Sequence, residues 1–167
     1  MSLSAEEVLK HCKVALVLLE EEQDETRWNV HWVGAMSLIR AVGHVLDKVD
    51  GAKDPRLRSR VDVAFAAWKS KDPSHAIFRD FIEPERNSVL KEFRSSIHPT
   101  GIVRLVIEGI KIRFSEDSDG NVQGVQIVDG NLYRPRLEGY GKGEDARDLY
   151  EAAIGWWETQ LARLSIL

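Results

Sequence analysis

Apolar residues recur at helical spacing through residues 1–98. Ser4 and Glu7 have the spacing of a capping box, with Ser4 as the N-cap and Glu7 at N3, which predicts that the first helix begins just after Ser4. Two further helices are predicted over residues 55–69 and 73–97 by the same pattern. The second helix has the most regular pattern, in which apolar positions alternate spacings of four and three residues: Trp28, Trp32, Ala35, Ile39, Val42, Leu46 and Val49.

The period of the pattern changes after a helix-breaking run, His98-Pro99-Thr100-Gly101. Apolar and polar residues then alternate over residues 103–114 and 122–128, which is typical of half-buried strands, and an Asp-Gly pair predicts a tight hairpin. The predicted fold class is therefore α+β. We expect an antiparallel four-helix bundle over residues 1–98, followed over residues 99–167 by a small antiparallel β-meander and a C-terminal helix packed on the bundle.

Composition narrows the functional classes. The net charge of −4 argues against a general nucleic-acid coat, although it leaves room for a small basic site. Cys12 is the only cysteine, so no internal disulfide can form and a reducing compartment is expected. No signal peptide or membrane-spanning run is recognisable, and no metal or cofactor motif occurs. We therefore expect a cytoplasmic protein without a cofactor.

One segment of the predicted fourth helix carries the strongest functional signal: Glu85-Arg86-Asn87-Ser88-Val89-Leu90-Lys91. Arg86 and Asn87 are poor core residues, so the pair is expected to face water, a partner or a ligand. The segment and the helical part of the chain resemble the HEPN superfamily, whose members bind nucleotides or cleave RNA. That resemblance implies a phosphate-binding arginine followed by a polar residue and then a histidine.

This chain departs from the HEPN pattern because Lys91 stands where the histidine is expected, and an ammonium is a poor general base at neutral pH. The resemblance therefore implies a catalytically degenerate domain that binds RNA or nucleotide phosphate. Its candidate contacts are Arg86, Asn87, Lys91, Arg94 and His98. A plain surface role, in which Arg86 and Glu85 form surface ion pairs while Asn87 hydrogen-bonds locally, is the competing interpretation.

Two other functions stay open at this point. Adjacent tryptophans, Trp156 and Trp157, suggest a helix covered on two sides, which favours a protein-interaction or homodimerisation module. A metal-independent endoribonuclease is the third hypothesis, with His98 supplying the imidazole that Lys91 replaces. Histidines also follow arginines by four residues in three pairs: Arg27/His31, Arg40/His44 and Arg94/His98. The glycines of Gly139-Tyr140-Gly141-Lys142-Gly143 predict either a flexible connector or an anion-binding loop.

Overall fold

Helices make up most of the chain that the computed structural model describes, which is residues 3–92, 94–97, 127–128 and 131–165. Helices α1 (Ser4–Glu21) and α2 (Glu25–Val45) form a hairpin with a short connection. The indole N–H of Trp28 donates to the carbonyl oxygen of Leu19 at 3.2 Å across this hairpin. Both helices bury one apolar face in a common core, as their periodicity predicts.

Helix α2 continues into a π-helical turn, Leu46–Asp50, and a final turn, Gly51–Lys53. Six residues of the predicted seam are buried, as expected: Trp28, Trp32, Ala35, Ile39, Val42 and Leu46. The prediction is wrong for Val49, which is 38% exposed, whereas Asp50 is buried. The π turn explains why Asp50 rather than Val49 faces the core. Its wider hydrogen-bonded ring moves the inward-facing position one residue along the chain.

The carboxylate of Asp50 holds the beginning of α1. Its oxygens accept hydrogen bonds from the backbone N–H groups of Ser4 and Ala5, both at 2.9 Å. The predicted N-cap at Ser4 is therefore wrong by one residue: the N-cap is Leu3, whose N–H donates to the Glu6 carboxylate at 3.2 Å. An acidic side chain at a helix N-terminus satisfies free donors and complements the helix dipole.

Helix α3 (Pro55–Trp68) begins with the Asp54 side chain accepting from the N–H of Arg56 and with proline in its first turn. A 3-10 turn, Pro73–His75, leads into α4. Helix α4 consists of three consecutive stretches, π-helical Ile77–Ile82, α-helical Glu83–Asn87 and π-helical Ser88–Glu92. Its buried face holds Phe78, Phe81, Ile82, Glu85 and Val89.

Helix α5 (Ala146–Ser165) crosses the core and contacts α1, α2, α3 and α4. The phenol of Tyr150 donates to the carbonyl oxygen of Ala35 at 3.0 Å, and the indole N–H of Trp68 donates to Gln160 at 2.9 Å. Trp157 is fully buried, while Trp156 stacks on Phe78 with ring centroids 5.2 Å apart. The tryptophan pair is therefore accommodated within one protomer.

The predicted α+β class with a β-meander is wrong, because the described chain is helical apart from minimal β pairing. Strands there amount to β1 (Ile127–Val128) paired antiparallel with β2 (Asn131–Leu132). Backbone groups of residues 134–137 bond to the backbone near residues 96 and 144–146. Most residues of the predicted strands, 103–126, lie outside the described ranges. None of the described helices has the length and apolar character needed to cross a membrane.

Candidate functional site

Arg86 lies half-buried on α4, and its guanidinium is not paired with a carboxylate among the described residues. Its Nη1 donates to the neutral amide oxygen of the adjacent Asn87 at 2.9 Å. The predicted surface ion pair with Glu85 does not form, because the Glu85 side chain points into the core and is 1% exposed. The guanidinium therefore retains free donors for an anion.

Helix α2 brings two further basic groups to Arg86. Arg40 and His44 are one turn apart, so they share a face of α2, and this helix packs against α4. Burial lowers the pKa of Arg40, and the charge of Arg86 lowers it further, while Glu83 opposes both effects. Burial also lowers the pKa of His44, with additional contributions from the charges of Arg40 and Arg86. The two helices therefore place three basic groups within electrostatic range of one another.

The Arg40 guanidinium is the most enclosed of these groups, with its side chain 15% exposed. Its Nη2 lies 3.5 Å from a Glu83 carboxylate oxygen, and its central carbon lies 5.9 Å from the centre of the Phe78 ring. Its Nη1 is buried without a hydrogen-bond partner among the described residues. A Cβ at Gly43 would come within 2.9 Å of the Trp157 ring and 3.3 Å of this nitrogen, so the glycine leaves room for both side chains.

The Glu83 carboxylate lies near two of the cations at this surface. Lys69, at the end of α3, places its Nζ 4.0 Å from the same Glu83 oxygen that faces Arg40. We call Arg40, His44, Lys69, Glu83 and Arg86 the α2–α4 basic face. The nearest further acid of α2, Asp47, raises the pKa of His44 but pairs with Lys48 and Arg58 at 2.8 Å and 2.6 Å. Positive charge therefore exceeds negative charge on this face.

The other residues predicted to contact phosphate lie away from the α2–α4 basic face or outside the described residues. Asn87 and Lys91 are exposed, on successive turns of α4. Arg94 is exposed and lines a separate cavity, described below. His98 lies outside the described residues, so the predicted Arg94/His98 pair has no structural account.

The buried carboxylate of Glu85 organises the end of α4. It accepts hydrogen bonds from the Trp32 indole N–H at 3.1 Å and the Ser95 hydroxyl at 2.9 Å, and from both the N–H and the hydroxyl of Ser96. Its charge also counteracts the burial that lowers the pKa of Arg136, whose guanidinium packs over Phe81 at 4.9 Å. Glu85 is thus a structural hub, and the surface position expected for it from the sequence is wrong.

A cavity of about 230 Å³ adjoins this hub. Its walls combine apolar side chains with a few polar ones, and the lining residues are Asn29, Trp32, Val33, Val89, Arg94, Ser95 and Ile97. The sequence carried no signal for this cavity, because its lining comes from α2, α4 and the turn after α4. Only the packing of those elements brings them together.

Two other sequence candidates have ordinary structural roles. Arg27 forms an ion pair with the Glu22 carboxylate at 3.2 Å, and the His31 imidazole lies 3.7 Å from the same carboxylate. The glycine-rich loop does adopt positive φ at its three glycines. However, the Asp145 carboxylate already accepts the N–H of Arg147 at 2.9 Å, where α5 begins, so an anion would compete with a negative side chain there.

No protein-family model, no curated protein and no solved structure matches this chain. Its function is therefore argued from the geometry of its own residues.

Proposed function

We propose that the α2–α4 basic face binds a phosphate-bearing ligand of the nucleotide or RNA class. The observation that supports the proposal most strongly is that Arg86 lies within electrostatic range of Arg40 and His44, which belong to a different helix packed against α4. Guanidinium groups bind phosphate oxygens through paired, charge-assisted hydrogen bonds. The donors of Arg86 that Asn87 does not use are available for such bonds.

The surrounding charge supports a small site rather than an extended nucleic-acid track. The whole chain carries a net charge of −4, so long-range attraction to a polyanion is weak. Cations concentrated on one face can still hold a single phosphate group, because the interaction strengthens as the pair becomes partly shielded from water. A mononucleotide or a short single-stranded segment therefore fits this face better than a duplex.

Ligand binding to the Arg86→Ala variant tests the proposal. Fluorescently labelled single-stranded RNA and ATP would be titrated at low salt into the natural chain and the variant. Loss of a charge-assisted contact costs about 1.5–3 kcal/mol, so affinity should fall about ten- to a hundredfold. Arg163→Ala is the matched control, because Arg163 is an exposed arginine on α5. No measurable binding, or equal losses in both variants, would refute the proposal.

The pH dependence of binding provides an independent test. The pKa of His44 is lowered in the free protein, chiefly by burial and then by Arg40 and Arg86, so its imidazole is mostly neutral at pH 7. A bound phosphate favours the protonated form and raises that pKa, so affinity should increase as the pH falls through the bound-state pKa. His44→Ala should flatten this dependence, whereas Arg163→Ala should preserve it.

Cleavage remains the separate hypothesis of a metal-independent endoribonuclease. Incubating the same RNA with chelator, and analysing its length by electrophoresis, distinguishes the two functions. Intact RNA after binding supports a degenerate domain. Metal-independent cleavage that Arg86→Ala abolishes would replace binding with catalysis.

A protein-interaction or homodimerisation role is the second candidate, and an exposed apolar stripe on α1 favours it. Val14, Val17 and Leu18 are 58%, 47% and 43% exposed at a spacing that places them on one face. Sedimentation analysis of the natural chain and of Val17→Lys tests this role. A concentration-dependent dimer that the lysine disrupts supports it, and a monomer throughout contradicts homodimerisation.

A further inference from the structure

The cavity beside Glu85 has the features of a small-molecule site separate from the α2–α4 basic face. Its volume, about 230 Å³, lies just below the range of about 300–1,000 Å³ that is usual for drug-sized ligands. Trp32, Val33, Val89 and Ile97 supply apolar walls. A ligand with an apolar body of about one aromatic ring therefore matches the space.

Hydrogen bonds to Glu85 and Ser95, one of them buried and the others part-buried, hold the wall of the cavity. The Glu85 carboxylate accepts hydrogen bonds from the Trp32 indole N–H and from the Ser95 hydroxyl. The Ser95 hydroxyl oxygen in turn accepts a hydrogen bond from the backbone N–H of Ile97 at 3.0 Å. Trp32 is further held by stacking on Trp28, with ring centroids 5.4 Å apart. A site whose walls are ordered before binding loses less conformational entropy when a ligand enters.

The polar groups of the cavity indicate the charge of the ligand. Arg94 lines the cavity and is exposed, so it is the one cationic residue in the described lining and is accessible to solvent. No carboxylate among the described residues pairs with it. Asn29 adds an amide that can donate or accept a hydrogen bond. One guanidinium and one amide suit a single negative charge, because a planar carboxylate pairs with arginine through two parallel hydrogen bonds.

We infer that this cavity binds a small carboxylate with an apolar body. The apolar body occupies the space between Trp32 and the aliphatic side chains, and the carboxylate pairs with Arg94. This site does not depend on the phosphate-binding function proposed above, since the two surfaces use different arginines.

Benzoate is the probe, and benzyl alcohol is its uncharged counterpart. Two-dimensional ¹H–¹⁵N NMR follows the indole N–H signal of Trp32, identified by its loss in Trp32→Phe. Benzoate should shift this signal saturably, with an apparent Kd of about 1 mM, and benzyl alcohol should bind more weakly. Arg94→Ala should weaken benzoate about tenfold or more and leave benzyl alcohol unchanged. Arg163→Ala and Arg86→Ala should leave the benzoate titration unchanged.

Four results would overturn the inference. The first is the absence of a saturable shift of the Trp32 signal, and the second is equal affinity for benzoate and benzyl alcohol. The third is a benzoate affinity that is the same in Arg94→Ala and Arg163→Ala. The fourth is tighter binding of phenyl phosphate than of benzoate. Asn29→Ala provides a second variant, in which the benzoate affinity should fall less than in Arg94→Ala. Because Arg94 is exposed, its truncation should leave folding intact, and the unperturbed indole signals of the other tryptophans check this.

Discussion

Replacing Glu85 by alanine tests the hub that closes the end of α4. The variant removes the acceptor for the Trp32 indole, for the Ser95 hydroxyl and for the N–H of Ser96. It also removes the negative charge that faces the buried Arg136. The change therefore removes the acceptor of several donors at once, of which the Trp32 indole N–H is the most deeply buried.

The expected loss of stability follows from the burial of each donor. Trp32 is 1% exposed, so its orphaned N–H should cost about 1–3 kcal/mol. The half-buried N–H of Ser96 should cost less, and the exposed Ser95 hydroxyl can turn to water. The truncated side chain also leaves a void. We expect a total of about 3–5 kcal/mol, a large part of the 5–15 kcal/mol typical of a folded domain.

Urea denaturation followed by circular dichroism measures this loss. Glu85→Gln should cost about 1–2 kcal/mol, because its amide keeps one acceptor oxygen but turns N–H groups toward the remaining donors. In a Trp32→Phe background, where the indole donor is gone, the cost of Glu85→Ala should fall by about 1–2 kcal/mol. Glu92→Ala, at an exposed position of the same helix, is the control. A cost of Glu85→Ala within about 1 kcal/mol of this control would refute the reasoning.

Three further predictions concern other parts of the chain. Gly141→Ala should lower the melting temperature more than Gly143→Ala: both glycines have positive φ, 69° and 84°, but only at Gly141 would a Cβ collide, 2.4 Å from a leucine side chain. Equal losses would contradict this. Asp50→Ala should cost about 1–2 kcal/mol in urea denaturation, because two N–H groups of α1 lose their acceptor, and Asp50→Asn should cost less. Burial raises the pKa of Cys12 to about 11, so an aromatic disulfide reagent should modify the native thiol far more slowly than the unfolded one. Equal rates would show that the thiol is accessible.

The seam of α2 was predictable because hydrophobic periodicity reports burial wherever a helix keeps regular hydrogen bonding. From Trp28 to Leu46 the pattern and the structure agree. The agreement ends at the π turn, where Asp50 takes the inward position expected for Val49. A register change of this kind depends on hydrogen bonds between residues five apart. The hydrophobic pattern does not report it, because the residue that turns inward is polar.

The same limitation applies to α4 and to the candidate site. Two π-helical stretches flank Glu85, and its burial depends on donors from α2 and from the turn at Ser95. Sequence spacing identified Arg86 as a group unsuited to the core and placed Arg40 with His44 on one helix face. It could not show that these two helix faces meet, because contacts between distant segments are set by packing.

The contact between Asp50 and the first turn of α1 has a consequence for motion. The α1–α2 hairpin is joined by a short loop at one end and by these hydrogen bonds at the other. Two helices that are connected at both ends resist separation. We therefore expect helix α2, which carries Arg40 and His44, to move little relative to α1. A change in the distance between Arg86 and these two residues should then come from displacement of α4 rather than of α2.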